Sequence, residues 1–298
     1  GKPADAGTDV FAMATGNGSS TVPSVVGGFP VDFALLRKPG ATFNWWTYLR
    51  LRQGKYLEAN TTNDESADGG GAFDSNTGFY ASSGVNSDYQ GWMWKRHAGF
   101  DVVHYKGDGV YGRQVPHSLN AVPEMIWVKN REDSGEEWIV YHKGLDGGNQ
   151  PETHNLYLHN ADAELDTNAA WNDTAPTSTH FTLGGGNAVN KSTKDNLAFL
   201  FASVDGISKV GYYTGSGSDL DLDLGFNCRF IIIKRTDSAG DGWFVFDTLR
   251  GIGTGAGADK ELLLNSNAGQ NTTHDHLDLI TNGVRLKTGV SGTNYDSS

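Results

Sequence analysis

The chain has 298 residues and is 37% hydrophobic and 11% aromatic, enough to build packed cores and too much for a disordered segment. Its net charge of -12 argues against a nucleic-acid groove or an anionic membrane as partner. The one cysteine, Cys228, excludes an internal disulfide and a multi-cysteine metal site, and no window approaches the run of apolar residues that a membrane-spanning helix needs. The first residues, GKPADAGTD, carry no initiator methionine and no signal-like apolar run, so the chain reads as a processed product or an excised piece.

In chain order, a strand-like run VFAMATGNG (10–18) ends in Gly-X-Gly, followed by TVPSVV, DFALLRK (32–38), WWTYLRL (45–51), KYLEAN, GFYAS and YQGWMWKR (89–96). The series then restarts as VVHYKGDG (102–109), RQVPHSL, EMIWVKN (124–130), WIVYHKG (138–144), NLYLHN, HFTLG and NLAFLFAS (196–203). A third pass gives KVGYYTGSG (209–217), DLDLDLG, RFIIIKR (229–235), WFVFDTL (243–249), ELLLNSN and GVRLKTG, without a closing segment. The Gly-X-Gly turns begin at Gly16, Gly107 and Gly215, offsets of 91 and 108. Blocks recurring in one order at such a period mark an internal repeat.

The blocks are strands. DLDLDLG alternates strictly, with Asp219, Asp221 and Asp223 on one face, whereas FIIIK and MIWVK are apolar on both faces, as expected of central strands covered on both sides. β-Branched and aromatic residues fill the runs, and Gly, Asn, Asp, Ser and Thr fill the gaps. No long stretch has a helical period, although the loop DGGNQPETHNLYLHN has room for a helical turn. The fold class is therefore all-β: three tandem antiparallel β-sandwich repeats of about seven short strands each, the third lacking its last strand. The divergent first repeat spans 1–97, the second 98–205 and the truncated third 206–298, each with its own interior. Trp45, Trp138 and Trp243 align across the repeats and read as core. Lys38, Lys129, Lys234 and Arg235 read as the points where covered strands meet water, their stems lying along apolar surface. Cys228, at the head of an apolar run, reads as a buried, inert thiol.

From Gly99 to about Gly289, through QVPHSLNAVPEMIWVKNR, EEWIVYHKGL and CRFIIIKRTDSAGDGWFVFDTLRG, the chain closely resembles a repeat domain of unknown function. That domain is common in large virion proteins of marine tailed bacteriophages, chiefly cyanophages, and the likeness is weaker over 1–98. The resemblance implies a structural or adhesive virion protein at the particle surface, with other virion proteins as partners and, by analogy with tail fibres, a homotrimer. It supplies no catalytic residues. It also implies a further strand after NYDSS to complete the third repeat.

The residues themselves point away from catalysis. Gly-X-Ser-X-Gly, His-Glu-X-X-His, P-loop and Cys-X-X-Cys patterns are all missing from the sequence. TGNGS, KGDG and TGSGS precede strands rather than helices, so they read as hairpin turns and not phosphate loops. Among 35 acids, pairs for glycoside hydrolysis are trivial to find, and Glu136, Glu137 and Asp173 carry no weight. No metal or other cofactor is expected. The places best suited to a metal are His274 and His276 in THDHLD for a transition metal, and Asp237 and Asp241 in the acidic loop TDSAGDGW for Ca²⁺. Trp46 and Trp171 are less uniformly matched across the repeats; core packing is the first reading for each, and they are the candidates for stacking a sugar ring of a host-surface glycan. The expected function is thus a non-enzymatic phage virion protein, a tail-fibre or appendage segment acting as scaffold or adhesin. The alternatives are an array of carbohydrate-binding modules and a capsid-decorating protein.

Overall fold

The computed structural model describes residues 6–67, 71–82, 84–253 and 257–296. The first segment forms β1 (Phe11–Thr15), β2 (Val25–Val26), β3 (Phe33–Arg37), β4 (Trp46–Leu49), β5 (Lys55–Glu58), β6 (Ser66–Ala67), β7 (Gly78–Phe79) and β8 (Gln90–Trp94). The second forms β9 (Phe100–Lys106), β10 (Arg113–Pro116), β11 (Met125–Asn130), β12 (Trp138–His142), β13 (His154–Tyr157) and β14 (Leu165–Asp166). It continues through α1 (Asn168–Trp171), β15 (His180–Leu183), α2 (Asn187–Asn190) and β16 (Asp195–Phe201). The third carries β17 (Leu220–Asp223), β18 (Phe230–Lys234), β19 (Trp243–Asp247), β20 (Leu262–Leu263), β21 (Leu277–Ile280), β22 (Gly283–Leu286) and α3 (Ser291–Asn294). The chain is therefore mostly β, with antiparallel pairing throughout the described strands. The loop before β13 holds the helical turn the sequence left room for, at Pro151–Thr153, while Leu145–Gly148 is kinked, with Asp146 and Gly147 at positive φ.

Two six-stranded sheets, ordered β1-β8-β3-β4-β5-β6 and β9-β16-β11-β12-β13-β14, share one topology, and the third segment supplies the shorter sheet β18-β19-β20. Small sheets, β2-β7, β10-β15 and β17-β22-β21, lie over one face of each. The apolar residues between large and small sheets form separate clusters: Ala34, Leu36, Tyr48 and Phe79 in the first segment, Ile126, Val128, Phe181 and Leu200 in the second, Ile233, Phe246, Val284 and Leu286 in the third.

The opposite faces of the large sheets do not meet water. They meet one another. One central cluster draws Phe33, Leu35, Trp45 and Trp92 from the first segment, Trp127, Trp138, Leu156 and Phe199 from the second, and Trp243, Val245 and Leu262 from the third. This is the physical reason why MIWVK and FIIIK are apolar on both faces: Ile126 and Val128 pack under the small sheet, while Trp127, one residue out of phase, packs at the centre. The expectation that each repeat has an interior of its own is thereby corrected, because half of each interior belongs to its neighbours.

The aligned tryptophans tie this centre together. The Trp138 indole N–H donates to the Glu58 carbonyl (3.0 Å), that of Trp243 to the Tyr157 carbonyl (2.9 Å), and that of Trp45 to the Leu263 carbonyl (2.8 Å). Each bond runs from one segment to the fifth-block strand, or its equivalent, of another, and the third bond closes a ring on the first. A buried indole N–H needs an acceptor, and here every acceptor is supplied by a different segment.

The Gly-X-Gly sequences are not hairpin turns. β1 and β9 pair with the distant β8 and β16, and the glycines carry the chain from the large sheet towards the small one. A Cβ on Gly107 would stand 2.1 Å from the Lys191 carbonyl oxygen, and one on Gly16 would stand 2.5 Å from the Asn86 carbonyl oxygen. The second glycine of each pair, Gly18, Gly109 or Gly217, has positive φ.

Candidate functional site

Each central strand places a cation next in line on its inward face: Arg37, Lys129 and Lys234, at equivalent positions of β3, β11 and β18. These are not the water-facing ends that the sequence suggested. Arg37 and Lys129 are fully buried and Lys234 is half-buried. Lys129 Nζ donates to the carbonyls of Asn130 (2.8 Å), Glu136 (2.9 Å) and, across the junction, Thr62 (3.4 Å). Arg37 donates across another junction to the Ala268 carbonyl. Burial pulls Lys129 and Lys234 down to about 8, and burial together with the nearby Arg250 pulls Arg37 down to about 10. The Lys129 charge survives because three carbonyls replace its water, whereas Arg37 leaves Nε and Nη1 without a hydrogen-bond partner among the described residues and lies over the Trp45 ring. Arg37 and Lys129 act as clasps between segments, while Lys234 donates to the carbonyl of its neighbour Arg235. Of the other two, Lys38 lies over the Tyr89 ring and Arg235 pairs with Asp237.

The same junction holds a buried polar triad. Asp247 accepts from the Trp92 indole (3.1 Å) and from Arg250 Nε (2.7 Å), and Arg250 also donates to the carbonyls of Val245 and Lys260. The carboxylate of a third-segment strand thus satisfies an indole of the first segment.

One place departs from the threefold pattern. β3 is flanked by β4 and β8, and β11 by β12 and β16, whereas among the described residues β18 pairs with β19 alone. In the two complete sheets the position next to the central strand is filled by the tryptophan- and phenylalanine-rich closing strands, which pair Phe33 with Trp94 and Met125 with Phe201. On β18, Phe230, Ile231 and Ile232 are half-exposed where Phe33, Ala34 and Leu35 are buried. The segment 209–214, which corresponds to β1 and β9, forms no strand. β18 carries four successive apolar residues and ends in Lys234.

The residues singled out from the sequence are scattered. Trp171 is buried in α1 against Tyr141, so it is no sugar platform. Trp46 is half-buried beside Phe43 and Tyr56, with ring centroids at 4.5 Å and 4.9 Å. Asp237 and Asp241 are both taken by Arg235 (2.7 Å and 3.4 Å), and that ion pair fills the place of a Ca²⁺. His274 is exposed and His276 buried, and together with Glu261 they offer ligand atoms within 4.8 Å of one another. His276 Nε2 and Glu261 Oε2 are in direct hydrogen-bond contact, however, Nδ1 faces Thr293 Oγ1, and the other Glu261 oxygen accepts from Asn271. No gap for an ion lies between the two groups, and the pair is a buried polar bridge. Asp219 and Asp221 are exposed and paired with Lys287 and Arg285. Glu136 pairs with Lys191, and Asp173 is exposed. Cys228 is buried, its thiol pushed up to about 11 by desolvation, and it donates to the Phe230 carbonyl. Sequence reasoning missed Arg37 and the Asp247–Arg250 pair. The recurring cation in DFALLRK, EMIWVKN and RFIIIKR was the available signal, set one residue off by reading Lys38 instead of Arg37.

A family model described as a domain of unknown function (DUF7483) matches residues 54–297, most of the chain. Nothing matches among curated proteins or among solved structures.

Proposed function

The chain belongs to the DUF7483 family, a domain of unknown function, and we propose that it is a non-enzymatic structural segment of a phage virion, a tail-fibre or appendage module at the particle surface. In this reading three β-sandwich units, the third incomplete, serve as one stiff building block that joins other virion proteins and presents loops to a host surface. The virion setting comes from the resemblance of 99–289 to repeat domains of marine phage structural proteins. The observation that carries the structural role is the closed ring of tryptophan-to-carbonyl bonds around a shared apolar centre. Such a ring locks the segments into one body, as a load-bearing spacer requires. The test is localisation: an antibody against the chain, applied to intact particles of a phage that encodes it and imaged by electron microscopy. Label on tails or fibres supports the reading, and particles that lack the protein overturn it.

A second reading, a glycan-binding surface, is favoured by one cluster. Trp46, Phe43, Tyr56 and Tyr89 form a half-exposed aromatic group with the Lys38 ammonium 4.7 Å from the Tyr89 ring. Aromatic faces fringed by polar groups are what pyranose rings stack on. Retention on a glycan array that is lost in Trp46→Ala supports this reading, and a silent array from folded protein removes it.

A further inference from the structure

We propose that the junction between the first and third segments is a receptor for a small monovalent anion of the chloride class, held by the guanidinium of Arg37 and the amide of Gln90. The site stands apart from the virion reading and rests on the buried cations alone.

The three central strands face one electrostatic problem, and two of them solve it with acids. Lys129 and Lys234 each lie within reach of carboxylates from two places: the loop that follows their own strand, and the loop after β5 or β13 of the neighbouring segment. For Lys129 the first loop supplies Asp133, Glu136 and Glu137, and the second supplies Asp64. For Lys234 the first supplies Asp237 and Asp241, and the second supplies Asp162. Arg37, as buried as Lys129, has neither source. Its own loop, 38–44, reads KPGATFN, and the loop that faces it after β20, 265–271, reads NSNAGQN, with no acid in either. The charge that bears on Arg37 is instead a second cation, Arg250, whose own partner Asp247 already serves the Trp92 indole. Two cations against one carboxylate leave one positive charge, so the ion that balances it is monovalent.

The place is also supplied with donors. Arg37 gives one N–H to the Ala268 carbonyl, and its Nε and Nη1 are buried without a partner among the described residues. Gln90 stands opposite Arg37 in the β3–β8 register, on the same face of the sheet, and its Nε2 is likewise buried and unpartnered. Arg37 is 0% exposed and Gln90 3%. The Trp45 ring, 5.5 Å from the guanidinium, offers an aromatic face but no countercharge. The two loops close over the site: Phe43 N donates to the Asn267 carbonyl (2.8 Å) and Gln270 N to the Pro39 carbonyl (2.7 Å). Gln270 Oε1 is a buried acceptor without a partner, and turning it onto Arg37 would satisfy an N–H while leaving the charge. Water has the same shortcoming. A guanidinium does not shed its proton near neutral pH, and a buried charge needs an opposite one. An anion supplies both the acceptor and the charge.

The probe is chloride, added to the whole chain. Urea unfolding is followed as sodium chloride replaces sodium gluconate at fixed ionic strength, gluconate being too bulky to pass the closed loops. An ion that binds the folded chain at one site raises the folding equilibrium constant about tenfold for each tenfold rise in concentration above its dissociation constant. We expect that slope in the parent and its loss in Arg37→Met, which keeps much of the side-chain length without the charge. Crystals grown in bromide give a second readout on the unaltered protein, which decides alone if Arg37→Met does not fold: an anomalous peak beside Arg37 and Gln90. Parent stability that is flat in chloride overturns the proposal. So does an equal slope in a folded Arg37→Met, or bromide crystals with no peak at Arg37.

Discussion

Trp138→Phe separates a shared interior from three independent ones. Phenylalanine keeps most of the apolar contact of Trp138, which is fully buried in the central cluster, but removes the N–H that reaches the Glu58 carbonyl at 3.0 Å. Leaving a buried carbonyl without its donor costs about 1–3 kcal/mol. The missing half of the indole adds a small void worth about 1–2 kcal/mol. A loss of about 3 kcal/mol in unfolding free energy is expected, a large fraction of the margin on which a typical domain stands. The informative quantity is where the loss is felt. Glu58 belongs to the first segment and Trp138 to the second, and the ring continues through Trp243 to Tyr157 and through Trp45 to Leu263. Urea titration should show a lower midpoint with an unchanged slope. Native-state hydrogen exchange should show the slowest amides of β4, β12 and β19 losing protection by the same amount. If only β12 weakens while β4 and β19 keep their full protection, the segments unfold separately and the shared centre is not a cooperative unit.

Asp247→Asn should lower stability by about 3 kcal/mol by thermal melt, since it strips the countercharge from the buried Arg250. A double change to apolar residues of similar size at both positions should recover much of that loss. Lys129 sits at about 8 in the folded chain against an ordinary 10.5, so the folded state gives up that proton first. Between pH 8 and 10.5 the unfolded chain holds more protons, and this contribution to stability rises with pH. The stability of Lys129→Met relative to the parent should therefore fall as pH climbs from 8 towards 10, as measured by urea midpoints. Gly107→Ala should cost about 1–3 kcal/mol, because its Cβ meets a carbonyl oxygen at 2.1 Å, while Gly40→Ala, with nothing within 4 Å, should be near neutral. Residues 98–205 expressed alone should bind a hydrophobic dye or aggregate, since Trp127, Trp138, Leu156 and Phe199 lose their cover. A monomeric fragment with a sharp melt and no dye binding would contradict the shared centre.

The sequence was legible where physics leaves a period. Strand runs, their order and their recurrence could be read directly, because side chains alternate across a strand and buried faces exclude charge. The coverage of both faces of MIWVK was legible, but the identity of the cover was not. An apolar face looks the same in sequence whether it packs on its own small sheet or on a neighbouring segment. The cations misled for a related reason. A lysine at a strand end usually reaches water, and nothing in EMIWVKN shows that carbonyls, one of them from the neighbouring segment, stand there instead. The Gly-X-Gly pairs were correctly marked as special backbone but assigned to hairpins, because close approach by a distant loop, Lys191 on Gly107, leaves no local trace. Trp171 reads first as core and is buried, but its place in a four-residue helical turn capped by Thr167 is too short to leave a period in the sequence. Trp45, Trp138 and Trp243 gave the strongest signal, and their alignment foretold a shared role without revealing that each role reaches into another segment.

Placing the three segments in one chain changes what such a ring can do. Three identical subunits around a common axis would have all their closing positions alike, either all filled or all open. Covalent linkage lets the copies diverge while the links hold each partner at high effective concentration. Here, among the described residues, the divergence shows in the buried cation of the central strands, Arg37 in the first segment and lysines in the other two, and in the third small sheet, whose three strands β17-β22-β21 stand where the others have two. The centre holds across these differences because Phe11 and Trp94 of the first segment pack on Phe230 and tie the third central strand to the first segment.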